Sequence, residues 1–135
     1  MAKFNVTIGS DTYEYSSLTI GQLRKKIRPL RRRLDGITLD NDALSEMLPT
    51  ITDKDERTEM YNKIESLEDE MLDISIDMLV VILARSNEKF NIDKDDTNYA
   101  EIIDIISDNL EMDELSNVIG NACGSGDKTV EPFRG

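Results

Sequence analysis

The chain has 135 residues, 39% of them hydrophobic and 33% charged, with 28 acidic residues against 16 basic ones and a net charge of -12 at pH 7. This length and apolar content suit one domain with a real core, and the negative charge opposes wholesale binding to nucleic acid or anionic membranes. Histidine and tryptophan are missing and Cys123 is the only cysteine, so an internal disulfide is excluded and the commonest general base and metal ligand is unavailable to any active site.

The opening residues MAKFNVTIGSD alternate too quickly between polar and apolar to form a signal peptide, and no apolar run approaches the roughly 18 residues of a membrane span. A soluble protein of a reducing cytosol is expected. Residues 3–8 place Phe4, Val6 and Ile8 on one face, Gly9-Ser10-Asp11 supplies a turn, and Tyr13 and Tyr15 continue in phase, which predicts a β-hairpin. Its apolar face has two uses, as a lid on a helical core or as an edge for a partner. The second use makes Tyr13 and Tyr15 candidate partner-binding residues.

Thr19 followed by Gln22 matches the capping-box pattern at a helix start, and Ile20, Leu23, Ile27, Leu30 and Leu34 give the helix a core stripe. Pro29 removes a backbone donor, at a cost of roughly 3 kcal/mol mid-helix, so a kink or a break near Arg28 is expected. Asp35-Gly36 then closes the segment. Residues 42–48 read as a short helix ended by Pro49, and Thr52 or Asp53 caps a long one over residues 55–89.

The long helix carries Met60, Ile64, Leu67, Met71, Ile74, Met78 and Val81 at steps of four and three, and from Leu72 a second stripe of Ile76, Leu79 and Leu83 joins it. Its C-terminal half therefore belongs to the core, while its acidic first half projects from the body or lies along it. The heptad-like steps allow a seam between two copies as well as packing on the chain's own helices. Asp77 is expected on the exposed third side, the alternative being a pair with Arg85 or a basic residue of the first helix. Asp93, Asp95, Asp96 and Thr97 lead into a helix of Tyr99, Ile102, Ile103, Ile106 and Leu110, and a short helix follows at 112–122. The fold class is mainly α (α+β), an N-terminal β-hairpin followed by four or five helices packed around one long central helix. Residues 1–123 form a single domain, and residues 124–135 are expected to be a flexible tail.

No catalytic constellation emerges, and no cofactor is expected. Asp93, Asp95 and Thr97 loosely match a calcium-binding loop, but Asn98 stands where that loop needs glycine and Asp104 where it needs a bidentate glutamate. These residues read instead as helix caps. Cys123 has no activating neighbour in sequence. The feature with functional promise is a basic run in which Arg24, Lys25, Lys26, Arg28, Arg31, Arg32 and Arg33 put seven positive charges within ten residues. It could dock an acidic partner, neutralise the chain's own acidic helices or grip phosphates. The lack of interleaved aromatics and the overall negative charge weigh against nucleic acid.

Three stretches, VTIGSDTYEYSSLTIGQLRKKI, DISIDMLVVILARSN and DKDDTNYAEIIDIISDNLEMDELSNVIGNACG, resemble in their order the tail assembly chaperones of long-tailed bacteriophages. Together they cover about two thirds of the chain. Residues 31–57 depart from the family pattern in being longer and more charged. The resemblance implies a non-enzymatic factor of the host cytoplasm that coats the tape measure protein, recruits tail tube subunits and is absent from the mature virion. It also implies a second, longer product made by frameshifting near the end of the reading frame. Two other functions stand beside it, a small nucleic-acid-binding regulator using the basic helix 24–33 and a structural head-tail connector. Arg24, Lys25, Arg28, Arg31, Arg32 and Arg33, with Tyr13 and Tyr15, are the candidate partner-binding residues, and a homo-oligomer is possible.

Overall fold

A computed structural model describes residues 3–124. The expected tail, from residue 125 onward, lies outside the described residues. Strands β1 (Lys3–Ile8) and β2 (Asp11–Ser16) pair antiparallel, with Phe4 opposite Tyr15 and Val6 opposite Tyr13. The two-residue turn carries Gly9 at φ +67°, the left-handed backbone that a tight hairpin asks of its first turn residue.

Thr19 then caps a helix with the reciprocal Gln22 capping box, as its sequence predicts. This helix comprises α1 (Ile20–Gln22), a π turn (Leu23–Ile27) and α2 (Arg28–Met47), which run on without interruption. Three expectations are thereby corrected. The helix does not break into two pieces at Pro29 or stop at Asp35-Gly36, and residues 42–47 are its end instead of part of a separate helix. In the π turn the Arg28 amide donates to the Leu23 carbonyl, five residues back. That wider turn takes up the strain that the ring of Pro29 would otherwise impose on the preceding carbonyl. Gly36 is tolerated because one glycine costs a long helix only about 1 kcal/mol.

After a short 3-10 turn at Leu48–Thr50, Asp53 caps α3 (Lys54–Ala84) by accepting from the Glu56 amide at 3.0 Å. A 3-10 turn at Glu88–Phe90 leads to α4 (Thr97–Asn109) and α5 (Met112–Cys123). Asp96 caps α4 through the Asn98 amide at 2.9 Å, and Glu111 with Glu114 forms a capping box on α5. The acidic residues before α4 thus include its helix cap.

The core gathers on the second half of α3. Ile74, Met78, Leu79, Ile82 and Leu83 are fully buried, against Val6, Ile8 and Tyr15 of the hairpin, Ile27, Ile106 of α4 and Val118 of α5. Each such side chain contributes roughly 1.5–3 kcal/mol by leaving water. Leu72, expected to open the second core stripe, is 39% exposed and lies outside it. No side chain of α2 is fully buried, and in α3 none before Ile74 is. Beyond the core the two helices therefore form an antiparallel arm, zipped by half-buried Leu34, Ile37 and Leu44 on α2 and Ile64, Leu67 and Met71 on α3. The long helix's apolar stripe is covered by its own chain.

Candidate protein interface

The basic run sits at the root of the arm. Arg24, Lys25 and Lys26 lie in the π turn and Arg28, Arg31, Arg32 and Arg33 open α2; all seven are exposed, while Ile27 beneath them is buried and Leu23 and Leu30 are half-buried. The sequence folds this way because the apolar stripe holds one face of the helix on α3 and leaves the cations on the remainder. Arg85, at the end of α3, ties the helix start in place by donating to the Ser17 carbonyl at 3.0 Å and to Gln22 Oε1 at 2.8 Å.

Among the described residues, ion pairs within 4.0 Å are Lys3–Glu14 at 3.7 Å and Lys94–Asp77 at 2.7 Å. None of the seven cations has such a partner, although Glu70 lines the same shallow depression as Arg32 and Arg33. Neutralisation by the chain's own helices is therefore not achieved through contact pairs. Among the described residues the cations stay exposed and without contact ion pairs, which leaves their charge open to an incoming surface.

The hairpin has a different role. Tyr15 is 2% exposed and its ring stacks on Phe4 at 5.4 Å, with its hydroxyl accepting from Asn121 Nδ2 at 3.1 Å. Tyr13 is half-buried, edge-on to Phe90 at 4.9 Å, and its hydroxyl accepts from Lys89 at 3.1 Å. That hydrogen bond raises the Lys89 ammonium above its ordinary value. Further bonds run from Asn87 Nδ2 to the Glu14 carbonyl and from the Leu18 amide to the Ala122 carbonyl, each 2.9 Å. The hairpin is a lid. Tyr13 and Tyr15 hold it down, because the core offers their rings more apolar surface than solvent can.

Two features were not legible in the sequence. Asp77 is neither exposed nor paired with Arg85: its side chain is only 15% exposed and accepts from Lys94 at 2.7 Å and from the Tyr99 hydroxyl at 2.5 Å. Burial, and then the bond to Asp77, raises the Tyr99 phenol above its ordinary range. The second feature is an open groove of about 480 Å³ between α3, α4 and α5, floored by Leu72, Ile76, Ile106 and Met112 and rimmed by Asp69 and Asp73. Leu72 and Met112 remain exposed there and leave apolar surface in water.

Burial pushes the Cys123 thiol up, against a smaller opposite pull from the positive charge of Arg31; such a thiol is a poor nucleophile at neutral pH. Among the described residues no group of three or more cysteines and carboxylates is placed to hold a metal ion. No described helix is long and apolar enough to cross a membrane. No family model matches the chain, and no curated protein or solved structure matches it either.

Proposed function

We propose that this chain is a non-enzymatic bacteriophage tail assembly chaperone, which binds the tape measure protein, keeps it soluble and recruits tail tube subunits in the host cytoplasm without entering the mature virion. The observation that carries the binding role is the set of seven exposed cations at the root of the arm, none of them in an ion pair among the described residues. A separate groove, rimmed by Asp69 and Asp73, lies between α3, α4 and α5. A partner helix with an apolar stripe and charges of both signs could use both surfaces. The tail-assembly role itself rests on the resemblance in the order of hairpin, central helix and closing helix pair.

Co-expression with the tape measure protein tests it. The wild-type chain keeps that protein in the supernatant, and the triple variant Arg24→Glu, Arg31→Glu, Arg33→Glu loses at least about half of the effect. Precipitation unchanged by the wild-type chain would sink the proposal. Exposed cations are also what a phosphate-gripping regulator would use, the less favoured reading, for which the discriminating result is DNA or RNA binding that weakens steeply as salt rises. Recovery of the chain from purified particles by mass spectrometry would instead favour a structural connector.

A further inference from the structure

The outward face of α2 carries a charge pattern that complements its own reversed copy. Arg28, Arg32, Asp35, Leu39, Asp42 and Glu46 follow one another at steps of four and three, which places them on one helical stripe about 27 Å long. All six are exposed, and none takes part in an ion pair among the described residues. The stripe lies opposite the seam of Leu30, Leu34, Ile37 and Leu44 that faces α3, so nothing in the described fold covers it. Leu39, at its middle, is 70% exposed, the most exposed large apolar side chain of the helix.

We infer that a second copy of this chain docks along this stripe, α2 against α2, antiparallel about a two-fold axis level with residue 37. In that arrangement Arg28 meets the second copy's Glu46 and Arg32 meets its Asp42, and the axis repeats both pairs. The two Leu39 side chains flank the axis, about 6 Å apart along the helix direction, each level with the second copy's Asp35. Other occupants satisfy only half the stripe. An acidic protein or a nucleic acid would pair with Arg28 and Arg32 and be repelled by Asp42 and Glu46, whereas the reversed copy pairs both arginines with both of those carboxylates and leaves only Asp35 without a cation. The inference is independent of the proposed chaperone role.

Sedimentation velocity of the full chain, at about 20 mM and about 500 mM salt, tests it. The expected result is a dimer at low ionic strength that dissociates as salt rises, because its pairs are rim-exposed ion pairs. R28E/R32E raises the dissociation constant at least about tenfold, and circular dichroism shows its helix content unchanged. R28E alone also weakens the dimer, and adding E46R in the same chain restores it, since antiparallel pairing brings the swapped charges together while parallel pairing would not. A wild-type chain that stays monomeric at low salt overturns the inference and leaves the stripe to an unlike partner. Dimerisation unaffected by R28E/R32E, or a folded R28E/E46R that does not recover it, overturns it equally.

Discussion

Asp77 lies in a helix segment that is apolar on two sides, and its carboxylate is held by Tyr99 and Lys94 instead of by water. The neutral phenol donates to the carboxylate, and ionising it there would place two negative charges side by side in a partly dry site. The folded-state pKa is therefore above the ordinary 10.0. The sign follows from linkage: the stabilisation is fully present below pH 10 and is lost as pH rises through the raised value, because the unfolded chain releases the proton first. Tyr99→Phe should cost about 1 kcal/mol near neutrality and give a shallower decline in stability between about pH 9 and pH 11. Urea unfolding across that range measures both; equal slopes in the two proteins would refute the coupling.

Helix α2 shows how the same residue type can cost or support an element according to its backbone. Gly36 lies inside a 20-residue helix with no neighbour within 4 Å of a would-be Cβ. Gly36→Ala should stabilise the chain by about 0.5–1 kcal/mol, since it removes unfolded-state freedom without a clash. Gly9 is held at φ +67° by the hairpin turn, so Gly9→Ala should destabilise by about 1 kcal/mol or more. Thermal melts of the two variants should shift in opposite directions. The extent of the helix was hidden from sequence reasoning by the same residues. Pro29, Asp35-Gly36 and Asp42 each mark a local boundary, and each is overridden by a seam of Leu30, Leu34, Ile37 and Leu44 that gains by continuing along α3.

Across the whole molecule, stability is unevenly distributed. The second half of α3 is buried on several sides, whereas the arm has one seam of half-buried side chains, with the Asn41 Oδ1 set in it without a hydrogen-bond partner among the described residues. Hydrogen exchange should therefore rank the amides from Ile74 to Leu83 as the slowest, with the arm at residues 37–70 opening separately and sooner. Uniform protection along α3 would contradict this division.

The hairpin, the caps at Thr19 and Asp53, the long central helix and the short helices after Asp96 were legible from residue order, because period, turn residues and caps are local properties. The basic run was legible too, as charge needs no fold to be counted. What only the tertiary structure decided was the partner of each face. It turned Tyr13 and Tyr15 inward, gave Asp77 to Tyr99 and Lys94, left Leu72 in a groove and joined residues 20–47 into one helix. Those outcomes depend on contacts between residues far apart in the chain, where the burial gained outweighs local preference.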